Sequence, residues 1–333
     1  MVANSAPLKY GPAVTVIAVC YNHERFVIEC LESIKRQTFT DFELIVVDDK
    51  SSDGSVGVIS DWLEHNLPGA RFFPHQTNIG LCKTLNEALA IANGEYIGLI
   101  ATDDAWLPDK LERQVARLQV LPESVALVFS DAEQMDEQGV TLPKTFIEAH
   151  RPLGGPVGAD MFSQLADGNF IPAMATLIRR TALLSVGGYD EALTYEDYDM
   201  WLRLADQYQL EYLPGLVARY RIVATSMVRT LFVNPSPRHS YSIFLLHSKW
   251  IGSRKLSAIQ RKKWAGKIVA AAHALYVAED PRAPACLRAA ARLAPTAKLW
   301  LLALTTALGI SRSRAKRLAA MAGLGERKAG APK

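Results

Sequence analysis

The sequence predicts an α/β fold, a mostly parallel sheet flanked by helices and followed by a C-terminal α-helical extension. Three observations predict it. From Val14 to Asp131, short β-branched apolar runs alternate with stretches of helical periodicity. Two of the predicted strands end in paired carboxylates, at the sheet edge where open α/β folds gather ligands. Beyond Asn234-Pro235-Ser236-Pro237 the composition turns to Ala, Leu, Lys and Arg at helical spacing, with almost no strand-like runs. We therefore divide the chain into an α/β region, residues 1–234, and a basic α-helical region, residues 235–333.

The elements follow in order. Val14 to Val19 reads as a buried strand, and Phe26, Val27, Cys30, Leu31 and Ile34 then fall at helical spacing. Phe42 to Val47 is a second strand, the polar stretch Asp48 to Gly54 its loop, and Val56 to His65 a helix. Arg71-Phe72-Phe73 is a short strand, Leu85, Ala88, Leu89 and Ile91 mark a helix, and Tyr96 to Ile100 is the next strand. A helix opened by Pro108 follows, since proline suits a first turn, and then a strand from Val125 to Phe129. Residues 131–230 break the rhythm, with a strand at Ala175 to Ile178, a helix at Tyr198 to Gln207 and mixed pairing at one side of the sheet.

With 333 residues, 49% of them hydrophobic and 21% charged, the chain can bury a sizeable core, which excludes disorder throughout. The net charge of +3 hides a division: residues 1–230 hold 18 basic and 31 acidic side chains, whereas 231–333 hold 19 and 3. Cys20, Cys30, Cys82 and Cys286 form no CxxC pair and have no histidine at metal-ligand spacing. They read as buried free thiols. No apolar core of signal-peptide length opens the chain and no run of about 18 apolar residues occurs, so a cytoplasmic protein is expected.

The candidate chemistry lies in the carboxylates. Val47 leads into Asp48-Asp49, and Ile100 leads through Ala101-Thr102 into Asp103-Asp104. Neighbouring strand ends bring these acids together, where they repel unless a cation is shared. Hard oxygen ligands favour Mg²⁺ or Mn²⁺, ions that bridge to substrate phosphates and reverse the local sign of an acidic body. Asp-Asp at a strand end also serves as a turn former or N-cap, and Glu196-Asp197 also suits a helix N-terminus. Lys83 and Arg221 are candidate phosphate partners. Trp201 reads as core, and His23 and His75 as structural or solvent-facing.

Val14 to Ile17 leading to Tyr21-Asn22, Ser33 to Thr38, and Val46-Val47-Asp48-Asp49-Lys50-Ser51-Ser52-Asp53-Gly54-Ser55 resemble the opening of a family 2 glycosyltransferase. The resemblance continues in register through Asn78-Ile79-Gly80, Leu85-Asn86, Ala92 to Ile97, Thr102-Asp103-Asp104, Gly187 to Glu191 and Glu196 to Arg203. It covers residues 14 to about 225. It implies a GT-A (Rossmann-like) fold that moves a sugar with inversion from a nucleotide-diphosphate sugar, UDP-linked by family frequency, in bacterial polysaccharide or lipopolysaccharide synthesis. By motif position Asp49 holds the nucleobase, with Val19 beside it through its main chain. Asp103 lies near the ribose, Asp104 binds the Mn²⁺ or Mg²⁺ on the diphosphate, and Lys83 joins the donor site. Asp197 is the base that deprotonates the acceptor hydroxyl, and Glu196 and Asn169 border the acceptor. At Ala101 many relatives carry a further Asp, a departure that metal binding through Asp104 survives. No Gln-x-x-Arg-Trp segment follows Asp197, so one sugar per encounter is expected.

The basic region combines Arg261-Lys262-Lys263, the apolar run Leu299 to Leu304, and Arg312, Arg314, Lys316 and Arg317. This composition suits an interfacial helix on an anionic membrane and a lipid-linked glycan acceptor. It also suits a bundle packed on the catalytic region or, in a homo-oligomer, on a second subunit. Two other classes compete: a metal-dependent nucleotidyltransferase, and a basic-tailed nucleic-acid-binding protein, which sparse aromatics disfavour. No GxGxxG opens the first βα unit, which argues against a dehydrogenase.

Overall fold

The structure, a computed structural model, describes residues 11–151, 158, 160–223, 236–310, 314 and 317. They belong to two compact units, 1–226 and 227–333.

In the first unit a nine-stranded sheet forms around β1 (Val14–Cys20), whose seven residues are all buried. A parallel strand covered on both faces needs a continuous β-branched run rather than alternation, and Val-Thr-Val-Ile-Ala-Val supplies it. β2 (Phe42–Asp48) and β4 (Tyr96–Ala101) pair with β1 in parallel from opposite sides, and β3 (Arg71–Pro74) extends the β2 side. Chain order thus reverses between β1 and β4, the point at which an open α/β sheet leaves a crevice. Helix α1 (Val27–Lys35) buries Val27, Cys30, Leu31 and Ile34 on one face, in the same hydrophobic core as Val16 and Ala18 of β1 and Leu111, Val115 and Leu118 of α4 (Lys110–Val120). Each such aliphatic side chain contributes about 1.5–3 kcal/mol by burial. Helices α2 (Ser55–Asn66) and α3 (Leu81–Ile91) complete the parallel half. Pro108 is not in the first turn of α4: Asp109 is its N-cap, and the Pro108 carbonyl instead accepts from the Thr38 N–H at 2.9 Å.

The other half of the sheet is mixed. It runs from β4 through antiparallel β8 (Thr176–Arg179) to β6 (Val125–Met135), then parallel β9 (Gln209–Arg221), then antiparallel β5 (Ala105–Trp106). β7 (Thr141–Thr145) pairs antiparallel with β6. The short helices α5 (Phe146–His150), α6 (Met161–Asp167) and α7 (Arg180–Ser185) fill the connections, and α8 (Asp197–Gln207) buries Trp201 completely, as core. β9 bulges at Pro214-Gly215, where Arg113 donates to the Pro214 and Leu216 carbonyls at 2.8 and 3.0 Å. All four cysteines are buried and free.

Among the described residues the second unit packs four helices in sequence: α9 (Pro237–Trp250), α10 (Ala258–Val277), α11 (Ala283–Leu293) and α12 (Ala297–Ala307). Ser236, Ser257 and Thr296 cap α9, α10 and α12 with their side-chain oxygens, which satisfies N–H groups that have no partner inside the helix. Their core is Phe244, Ile268, Ala272, Leu275, Leu287, Ala291, Leu299 and Ala303.

Candidate active site

The parallel register fixes where the loops converge. Cys20 lies opposite Asp48 and Val19 opposite both Val47 and Ala101, so β1, β2 and β4 end at one level. Two loops there use left-handed backbone at non-glycine residues, Asn22 (φ 60°) and Lys50 (φ 67°). Such conformations persist only where the surroundings fix them. Asn22 donates its N–H to Ser51 Oγ at 2.8 Å and accepts the Ser52 N–H at 2.7 Å, while Asp48 accepts the Ser51 N–H at 2.8 Å. Asp49, buried at the end of β2, accepts the N–H groups of Ile79 and Gly80, both at 2.9 Å, and stands 3.0 Å from His75 Nδ1. Its carboxylate therefore shapes the 75–80 loop and keeps an open acceptor position. The Val19 carbonyl accepts the Thr102 N–H at 3.0 Å. Lys83 is exposed in the first turn of α3, directly after that loop.

At the end of β4 the loop 102–104 turns both acids toward the same neighbourhood. Asp103 Oδ2 lies 3.6 Å from His23 Nε2, and His23 Nδ1 lies 2.9 Å from Thr102 Oγ1. Asp104 is buried, and burial together with the Asp103 charge pushes its carboxyl well above the usual carboxylate range. Arg221 opposes that rise. Its N–H donates to Asp104 Oδ1 at 2.8 Å and its Nε donates to the Asp103 carbonyl at 2.8 Å. The Arg221 guanidinium, 2% exposed, also pairs with Glu29 and lies 4.7 Å from the centre of the Phe26 ring. It is spent on protein groups, so it acts as a clamp on the two acids and not as a phosphate partner.

Glu196 occupies the N-cap position of α8 without a side-chain capping hydrogen bond, and Asp197 is the helix's first residue. Asn169 donates its amide to Asp197 Oδ2 at 2.6 Å, and the Tyr198 N–H donates to Asp197 Oδ1 at 2.6 Å. Burial raises the Asp197 carboxyl, opposed by those two donors and by His150. Burial with the adjacent Asp197 charge pushes Glu196 up to about 8. The donors to Asp197 favour its charged form over that of Glu196, a difference in environment of the kind that acid–base sites exploit. Asp104, Asp103 and Asp197 together hold the Tyr220 hydroxyl above its usual range, after burial itself. Tyr220 of β9 is thus close enough to the β4 loop and to the start of α8 to feel the charges of both. Cys82 of α3 likewise feels Glu196 and Asp197, which brings the Lys83 turn to the same region.

The family model for glycosyl transferase family 2 matches residues 15–187, more than half of the chain. The chain belongs to that family. Among the relatives of this glycosyltransferase, EpsE of Bacillus subtilis is 30% identical over 200 residues, covering 59% of this chain and 68% of EpsE. The amylovoran biosynthesis glycosyltransferase AmsE of Erwinia amylovora is 29% identical over 196 residues, covering 57% and 68%. Among solved structures, TarS 1-349 of S. aureus in complex with UDP-GlcNAc superposes with a TM-score of 0.60 at 18% identity, covering 93% of this chain and 88% of that one. The mannosyltransferase PcManGT of Pyrobaculum calidifontis, solved with GDP-Man and Mn²⁺, superposes at 0.55 and 21% identity, covering 95% and 85%. The fold is accordingly the GT-A fold of these glycosyltransferases.

In the family 2 enzyme His23 and His75 take the structural half of the expectation, each lying against an aspartate at the ligand edge of the sheet. His75 directly follows β3, and His23 lies three residues beyond β1. His150 and Tyr220 come from α5 and β9 and carried no local signal. The donor set also speaks to a metal. Among the described residues no three His, Cys, Asp or Glu side chains converge as an ion cage. One buried carboxylate beside a second suits Mg²⁺ or Mn²⁺ that keeps waters and takes its other oxygens from a diphosphate.

Proposed function

We propose that this glycosyltransferase is an inverting, non-processive enzyme that moves one sugar per encounter from a UDP-linked donor to a glycan or lipid-linked acceptor. Its setting is bacterial cell-surface polysaccharide synthesis at the cytoplasmic face of the membrane, and its catalytic region is residues 1–234. The observation that carries the reading is a pair of prepared acid sites: Asp103-Asp104 held by Arg221 at the end of β4, and Asp197 held by Asn169 at the start of α8.

The 75–80 loop, ordered by Asp49, forms the nucleobase wall with Val19, and Asp103 reaches the ribose. Asp104 holds the metal, which offsets charge developing on the departing nucleoside diphosphate. Lys83 supplies a further cation to that group. On the other side Asp197, held by Asn169, takes the proton of the acceptor hydroxyl as its oxygen attacks the anomeric carbon from the face opposite the leaving group. Protonated Glu196 borders the acceptor without adding a second charge beside Asp197.

The test is a binding panel of UDP-, GDP- and dTDP-sugars on the full chain, with and without Mn²⁺, followed by product analysis. A UDP-sugar should bind with metal and release UDP on acceptor addition. Failure of every donor to bind with metal overturns the reading, and release of pyrophosphate makes the enzyme a nucleotidyltransferase.

Arg221→Lys provides a narrower check. Lysine keeps one charge but loses the planar fork that holds Asp103, Glu29 and the Phe26 face together. Donor KM should rise about tenfold, the loss of roughly one charge-assisted hydrogen bond, with kcat changed far less. Equal loss in kcat and kcat/KM would move Arg221 from positioning the donor side to acting in the transition state.

A further inference from the structure

Helix α12 is apolar on both of its faces. Leu299 and Ala303 are buried in the core of the second unit. On the opposite side Trp300, Leu301 and Leu304, with Leu308 at the helix end, are 46%, 61%, 59% and 67% exposed. At about 100° per residue these four positions fall within an arc of about 100°, one continuous stripe along the helix. Scattered exposed leucines are ordinary, whereas four large apolar side chains aligned on one short helix mark an interaction surface.

The charge around the stripe selects the partner. From residue 281 to 325 the sequence holds eight Lys and Arg and no Asp or Glu. Lys298 is exposed in the first turn of α12, and Arg288 and Arg292 are exposed on α11, which packs on it. A second copy of the chain would bring the same cations against one another. A nucleic acid would meet leucines where stacking needs aromatic rings. An anionic lipid surface answers both features, taking the leucines and Trp300 into the acyl boundary while its headgroups meet the cations. At 11 residues α12 is about 16 Å long, too short to cross a bilayer, and among the described residues no helix is long and apolar enough to do so.

We infer that α12 docks this chain on anionic membrane by lying in the interface, with Trp300, Leu301, Leu304 and Leu308 inserted and Lys298, Arg288 and Arg292 at headgroup level. The inference is independent of which sugar is transferred and of the assignment of Asp104 and Asp197.

The experiment is co-sedimentation of the full chain with phosphatidylcholine vesicles, with and without phosphatidylglycerol, at low and high salt. The chain should pellet with the phosphatidylglycerol vesicles at low salt and be largely released at high salt. The double variant Leu304→Ser, Leu308→Ser should lower the partition coefficient at least about tenfold, since burial of one leucine alone is worth that factor. Both side chains point away from the core, and an unaltered melting temperature confirms that the variant is folded. Wild-type chain that stays in the supernatant overturns the inference. So does a folded double variant that pellets like wild type, or equal binding to vesicles without phosphatidylglycerol. Loss of a dimer in the double variant without vesicles would assign the stripe to a second copy instead.

Discussion

Asp197→Ala lowers kcat about 10²- to 10⁴-fold, the usual contribution of a positioned general base, and leaves the donor's Kd nearly unchanged. The reasoning is local. Asp197 accepts from Asn169 and from the Tyr198 N–H, and its neighbour Glu196 is pushed up to about 8, so of the two Asp197 is the one whose charged form the surrounding donors favour. The sign of the pH dependence follows. A base acts when deprotonated, and burial raises Asp197 above its ordinary value. The acid limb of the kcat profile should therefore lie above that of a free aspartate. Asn169→Leu removes a donor to the charged form, which raises Asp197 further and moves the limb to higher pH. That displacement distinguishes a positioning role for Asn169 from plain packing, which would lower kcat with the limb in place. Transfer at the wild-type rate by the Asp197→Ala enzyme would remove the assignment altogether.

Legibility from sequence followed the range of the forces involved. β1 to β4 with α1 to α3 could be read because β-branched runs and helical spacing are local, and strand-end acids mark the ligand edge of a parallel sheet. β5 has two residues, too few for any pattern, and β9 is interrupted at Pro214-Gly215 by a bulge that Arg113 stabilises from α4. Both are fixed by pairing partners far away in sequence, and β9 brings Tyr220 and Arg221 to the site. The Asp103-Asp104 and Glu196-Asp197 pairs were visible as residues. The rise of Asp104 and of Glu196 was not, because it comes first from burial, which exists only once distant segments have packed around them. Arg221 illustrates the limit: a lone basic residue in sequence suggests a phosphate partner, whereas its burial against Phe26 and Glu29 makes it a clamp.

Asp104→Asn should separate activity from stability. The amide is nearly isosteric and its oxygen still accepts the Arg221 N–H that Asp104 Oδ1 accepts at 2.8 Å, so the loop keeps its anchor. It loses the charge that the proposed metal requires, and kcat/KM should fall about 10²- to 10³-fold, the scale of removing one preorganised electrostatic contact. Metal-dependent donor binding should fall with it. Stability should move the other way. The folded Asp104 carboxyl is raised well above its ordinary value by burial and by Asp103, so the native state holds the proton more tightly than the unfolded chain. Stability is then lost as pH rises from the unfolded value of about 4 through the folded one. At neutral pH without metal, the wild type carries that cost and the asparagine variant does not. Thermal melting at pH 7 should thus give an Asp104→Asn protein at least as stable as wild type without metal, with an advantage that disappears near pH 4. Adding Mn²⁺ and donor should raise only the wild-type melting temperature, because a ligand stabilises the state that binds it. An Asp104→Asn protein that melts well below wild type at pH 7, yet gains as much from Mn²⁺ and donor, would place the metal elsewhere and make Asp104 a structural acid.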